Sequence, residues 1–186
     1  MSELNDLFLE SQRVKKEADC LFDKVDVLEA ISALAKIISH NLADSNPVVL
    51  GIMNGGLIPM GLLITELDFP LQIDYLHATR YRDKINGSQL QWLASPKIEL
   101  RDRTVLLVDD IHDEGITLDK IKTFCLNSGV KDVYSAVLVN KIHHRKNNTS
   151  ADFVALEIPD RYVFGFGMDY KGMLRNAPGI FAVKGL

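Results

Sequence analysis

The sequence predicts an α/β protein built on a doubly wound, mostly parallel β-sheet. Three short, continuously apolar runs carry that prediction: PVVLGIM (47–53), TVLLVDD (104–110) and DVYSAVLVN (132–140). Runs without polar alternation suit strands buried on both faces, as parallel strands are. Segments with helical spacing separate them, and turn residues gather at the strand ends. The resulting order of strand, turn and helix is that of a wound parallel sheet. In such sheets ligands bind beyond the carboxyl ends of the strands, and the unusual residues of this chain fall there.

Along the chain, residues 3–22 carry Leu4, Leu7, Phe8, Val14, Ala18 and Leu21 at loosely helical spacing. Residues 25–43 repeat the pattern more strongly, with Val27, Leu28, Ile31, Leu34, Ala35 and Ile38 on one face. Asn46-Pro47 ends that helix and begins an extended segment. After the first buried strand come Asn54-Gly55-Gly56 and a helix over GLIPMGLLITEL. LQIDYLHATRY (71–81) reads as a strand, and the polar stretch 82–90, with Asn86-Gly87, as a hairpin-like loop. A helix over about 117–128 stops at Gly129 and leads into the third buried strand.

No repeat, low-complexity stretch or Pro/Gly-rich linker divides residues 1–186, so one domain is expected. The composition, 47% hydrophobic and 25% charged, fits a soluble globular domain with a real core. No apolar run reaches the length of a membrane span, and the acidic, periodic start MSELNDLFLE argues against a signal peptide. Cytoplasmic residence is expected. Cys20 and Cys125 form no CxxC pair and read as buried or half-buried free thiols. The net charge of -4, with no long basic block, excludes the usual footprint of a nucleic-acid binder.

The most informative segment is Val105-Leu106-Leu107-Val108-Asp109-Asp110-Ile111-His112-Asp113-Glu114-Gly115-Ile116-Thr117. A buried strand runs into paired carboxylates, then a third, then Gly and Thr opening a helix. That pattern describes a phosphosugar site. Backbone N–H groups of residues 114–117 at the helix start, with the Thr117 hydroxyl, cradle a phosphate. Gly115 permits close approach, and Asp109 and Asp110 accept from sugar hydroxyls directly or through hydrated Mg²⁺.

This segment resembles the phosphoribosyl pyrophosphate (PRPP) motif of the type I phosphoribosyltransferases, whose pattern has Thr where this chain has Glu114. A carboxylate beside a phosphate is repelled, so the Glu114 side chain is expected to point away while its N–H binds. The resemblance extends over most of residues 47–183 to the hypoxanthine-guanine branch of the family. It implies the family's sheet, with a small hood forming a purine pocket from about residues 152–183.

What the resemblance implies is specific to individual residues. Asp113 is the general base, and Asp109, Asp110 and Asp113 with Glu114, Gly115, Ile116 and Thr117 hold the ribose and 5'-phosphate. Asn54, Gly55 and Gly56 form a pyrophosphate loop, in which the family often has a cis peptide and a basic residue at position 54. Arg145 and Arg175 also reach pyrophosphate. Lys141 donates to the 6-oxo group of the purine, Tyr162 stacks on the base and Val163 meets its edge through the backbone. Asp169 lies near the exocyclic group and joins Asp109 and Asp110 around Mg²⁺. Arg80 and Tyr81 begin a lid over about 80–90, with Arg80 replacing the family's Ser. His143 and His144 show no ligand partners in sequence, and Phe164 reads as core.

The expected reaction is transfer of the phosphoribosyl group from PRPP to hypoxanthine or guanine, with xanthine left open and adenine disfavoured by Lys141. A homodimer or homotetramer is implied by the family alone. The rival from another class is a PRPP-sensing regulator, which the retained Asp113, Lys141 and Arg175 argue against.

Overall fold

The computed structural model describes residues 3–80, 90–145 and 150–185. The expected lid, including Tyr81, lies outside the described residues; of Arg80 the backbone alone is described. The elements run α1 (Glu3–Glu17), β1 (Asp19–Asp23), α2 (Lys24–Leu42), a 3₁₀ turn (Ala43–Ser45), β2 (Val48–Met53), α3 (Leu57–Ile64), β3 (Gln72–Arg80) and β4 (Leu90–Ala94). They continue with β5 (Thr104–His112), α4 (Ile116–Asn127), β6 (Asp132–Ile142), β7 (Phe153–Pro159), β8 (Val163–Phe164) and β9 (Gly179–Ala182).

The main sheet has the order β4-β3-β2-β5-β6-β7. All neighbours are parallel except the antiparallel pair β3 and β4. From β2 the chain winds one way through α3 to β3, and from β5 the other way through α4 to β6. The order therefore reverses between β2 and β5, and a crevice opens at their carboxyl ends.

Alternate residues of the central strands supply the two faces of the core. Val49, Leu106 and Leu138 pack with Val27, Ile31, Leu34, Ala35 and Ile38 of α2 and with Met60 and Leu63 of α3. Val48, Leu50, Val105 and Leu107 pack with Leu118, Ile121 and Cys125 of α4. Both sides of the sheet being covered explains why its strands show no polar alternation.

The start of α2 follows from a capping box. Asp23 Oδ1 accepts from the backbone N–H groups of Val25 and Asp26 at 2.7 and 3.0 Å, and Asp26 Oδ2 accepts from Asp23 N–H at 2.9 Å. Asp23 is extended there, with φ -78° and ψ -178°, which corrects the expected continuous helix over 3–22. The helix ends at Glu17, and Asp19–Asp23 instead pairs with β9, Cys20 facing Phe181 and Phe22 facing Ile180. Together β1, β9 and β8 form a small antiparallel sheet.

Two further expectations are adjusted, and the fold adds an edge strand. The helix after Gly56 is shorter than GLIPMGLLITEL, because Glu66 and Leu67 continue with N–H bonds to Leu63 and Ile64, three residues back, rather than with α-helical ones. β4 joins the edge through pairing with β3. Cys20 is exposed, Cys125 is buried, and both are free. Among the described residues no helix is long and apolar enough to cross a membrane.

Candidate functional site

The crevice at the reversal of strand order is a cavity of about 530 Å³, within the usual range for a small-molecule site. Its floor comes from the ends of β2 and β5, one wall from the end of β6, and the opposite wall from the chain between β8 and β9.

At the end of β2, Met53, Asn54 and Gly55 line the cavity, and the Met53–Asn54 peptide is cis. Gly56 lies behind them and starts α3, its N–H bonded to Ile52 O at 2.8 Å. The backbone here is crowded. A Cβ on Gly55 would collide with the Asp110 carboxylate, and one on Gly167, at φ +111°, would collide with Gly55 O. Only glycine suits that second position on both counts.

At the end of β5, Asp109, Asp110, Ile111, Asp113 and Thr117 line the same cavity. Glu114 and Gly115 line, with Asp109 to Asp113, Thr117 and Leu118, an adjoining hollow of about 200 Å³. Gly115 is left-handed, at φ +83°, and no side chain caps the helix it precedes. Ile116 begins that helix. The backbone donors of its first turn thus adjoin the hollow, the arrangement that suits an anion.

The acidic pair is electrostatically loaded. Burial pushes the Asp109 carboxyl well above the ordinary range, and repulsion from Asp110 adds to this. Burial also raises Asp110, partly offset by its interaction with Asp109 and by Arg175. Both effects resist bringing two negative charges into the crevice floor. A divalent cation there would offset them. Among the described residues no group of three or more His, Cys, Asp or Glu forms a ready metal site. The paired carboxylates of Asp109 and Asp110 are oxygen donors of the kind a hard divalent cation takes.

Opposite them, Arg175 Nη2 lies 2.6 Å from Asp169 Oδ1 and Nη1 lies 3.8 Å from Asp110 Oδ2. Arg175 Nη1 also donates to Gly167 O at 2.5 Å, and Gly172 N–H donates to Asp169 Oδ2 at 2.6 Å. Tyr162 and Val163 line the cavity beside Met168. The Tyr162 ring is partly exposed and sits 5.6 Å, centroid to centroid, from Tyr170. Phe164 is fully buried.

The end of β6 brings Lys141 across to β5. Its ammonium donates to Asp113 Oδ2 at 3.0 Å, while His143 Nε2 meets Asp113 Oδ1 at 2.6 Å. Partial burial raises the Asp113 carboxyl, but these two partners outweigh it and hold the group below the ordinary carboxylate range. Asp113 and Lys141 thus share one cleft although 28 residues separate them.

The structure does not bring Arg145 into the cavity. Its guanidinium is exposed and engages both oxygens of Asp160 at 2.7 Å. Sequence reasoning missed His143, and also His77, Ala78 and Thr79 of β3, which line the cavity. A signal for His143 existed: residues 141 and 143 of an extended chain face the same side.

A protein-family model, the phosphoribosyl transferase domain, matches residues 18–171. The hypoxanthine-guanine phosphoribosyltransferase of Bacillus subtilis is 27% identical over 165 residues, 88% of this chain and 92% of its own. That of Aquifex aeolicus is 28% identical over 171 residues, 91% and 96% of the two chains. Among solved structures, a hypoxanthine phosphoribosyltransferase from Staphylococcus aureus superposes with a TM-score of 0.84 at 27% identity, covering 89% of this chain and 91% of its own.

Proposed function

The chain belongs to the phosphoribosyltransferase family, and from that premise we propose that it transfers the 5-phosphoribosyl group of PRPP to hypoxanthine or guanine, releasing pyrophosphate. The observation that carries the reading is the meeting of Asp113 and Lys141 in one cleft, 3.0 Å apart. It puts a proton acceptor beside a cation that favours an oxo over an amino substituent.

PRPP spans the two strand ends. Its 5'-phosphate takes the hollow of residues 114–117, its ribose hydroxyls meet Asp109 and Asp110, and its pyrophosphate lies against Asn54 and Gly55. The purine enters against Tyr162 and the edge of Val163, with its 6-oxo group toward Lys141. N9 then attacks C1 of the ribose as the bond from C1 to pyrophosphate breaks, and the proton on N7 passes to Asp113. Arg175 offsets charge on the departing pyrophosphate. This role falls to Arg175 rather than Arg145, whose guanidinium Asp160 already occupies. Mg²⁺ would be held by Asp109 and Asp110, with Asp169 on the facing wall, and would supply positive charge to the leaving pyrophosphate.

Family likeness supports a homodimer or homotetramer working on small molecules in the cytoplasm, with neither nucleic acid nor membrane as partner. The reading is tested by ultraviolet assay of nucleotide formation from hypoxanthine, guanine, xanthine and adenine, with and without Mg²⁺. Turnover of the first two, dependent on the metal, is expected. Adenine as the best substrate, or no turnover of any 6-oxopurine, overturns it.

A further inference from the structure

The two oxygens of Asp113 have different partners, and the difference has a use. We propose that His143 is a positioning residue that anchors Asp113 through Oδ1, so that Oδ2 stays aimed at the substrate when Lys141 leaves it for the purine. The inference rests on the reading of Asp113 as acceptor of the purine proton.

The geometry defines what His143 does. Its Nδ1 accepts from the backbone N–H of Arg145 at 3.0 Å. That nitrogen therefore carries no proton, and the ring proton sits on Nε2, 2.6 Å from Asp113 Oδ1. With both ring nitrogens engaged and the side chain only 4% exposed, the imidazole is held rigidly. The Asp113 side chain, 41% exposed, opens toward the cavity.

Lys141 is a different kind of partner. Its ammonium sits at the end of a flexible four-carbon stem and holds Oδ2, the other oxygen. A 6-oxopurine competes for that ammonium. Without a second anchor, the carboxylate would lose its restraint at the moment a defined orientation matters, and misplacement of a reacting group by about 1 Å costs about 100-fold in rate. His143 removes that conflict because its hold on Oδ1 does not depend on Lys141. Departure of Lys141 also withdraws a positive charge from Asp113, which makes the carboxylate a better base. Among the described residues, the charged or titratable partners bonded to Asp113 are Lys141 of β6 and His143 just beyond it. Asp109, Asp110, Asp169 and Arg175 share the cavity.

The test compares H143F, which keeps ring volume without a donor, with H143Q, whose amide supplies an N–H near the position of Nε2, and with D113N. Steady-state kinetics are measured over a range of pH. In H143F, kcat should fall about 10- to 100-fold with KM for PRPP unchanged, and the acid limb of kcat/KM should move to higher pH. H143Q should recover part of both. Unchanged kcat and acid limb in H143F, with D113N inactive, overturn the positioning role and leave the general-base reading intact. Full activity in D113N overturns that reading itself. Should H143F fail to fold, ¹⁵N spectra of the wild-type imidazole decide: a proton on Nε2 with none on Nδ1 supports the proposal, and any proton on Nδ1 overturns it.

Discussion

Gly55 and Asp110 are packed so closely that a methyl group on the first would occupy the place of the second's carboxylate. The floor of the crevice is thus a backbone turn pressed against a buried acid. G55A should displace Asp110 and lower kcat/KM for PRPP about 100-fold, the scale of a misplaced site group. Steady-state kinetics check this, and calorimetry should show that the variant still folds cooperatively.

Removing the proposed proton acceptor gives the sharpest kinetic signature. D113N should lower kcat by about 100- to 10,000-fold while PRPP binding, measured by titration calorimetry, changes little. Equal losses in both would place Asp113 in substrate binding instead.

Lys141 is almost fully buried and its charge is met by Asp113. K141M retains the apolar stem and deletes the ammonium. It should lower kcat/KM for hypoxanthine by about 10- to 100-fold, the scale of a hydrogen bond from a charged group. It should cost adenine less. Competition between the two bases reads the difference directly.

The two arginines should behave unequally. Arg175 bridges Asp169 and Asp110 across the cavity, so R175A should raise KM for PRPP by about 10-fold or more. Arg145 and Asp160 form an exposed pair, and such pairs contribute about 0 to 1 kcal/mol. R145A should therefore affect KM less than R175A.

A stability prediction concerns the parallel pair β6 and β7. Asp152 Oδ2 accepts from Ser135 N–H at 2.8 Å, Ser135 Oγ at 2.7 Å and Lys122 Nζ at 2.8 Å. Partial burial works against its ionisation, but Lys122 and Ser135 prevail and hold its carboxyl below the ordinary value. A lowered folded-state value means that the stabilisation is present above the unfolded pKa, about 3.9. It is lost as pH falls through the lower folded-state value. D152A should destabilise by about 1 kcal/mol at neutral pH. Denaturation of wild type and variant should converge as the pH falls below about 4.

Much of this molecule was legible beforehand for physical reasons. β2, β5 and β6 are covered on both faces, so their sequences are apolar without alternation. The turn from Asp109 to Thr117 is local, and a positive φ at Gly115 with a helix start behind it leaves a readable trace. The helical spacing that Ala18 and Leu21 share with the residues before them predicts helix through β1, but a segment this short carries too little pattern to fix its own state. Its conformation comes from β9, some 160 residues away in the chain.

Locally encoded backbone preference and burial let the sequence alone determine the wound sheet, the strand ends and the anion-cradling turn. Tertiary structure alone decided which charged groups meet: Arg145 with Asp160 outside the cavity, and Lys141 with His143 on the separate oxygens of Asp113. Such contacts depend on strand register and side-chain direction across the sheet, and a pattern of residue types along one strand does not specify what the neighbouring strand presents to it.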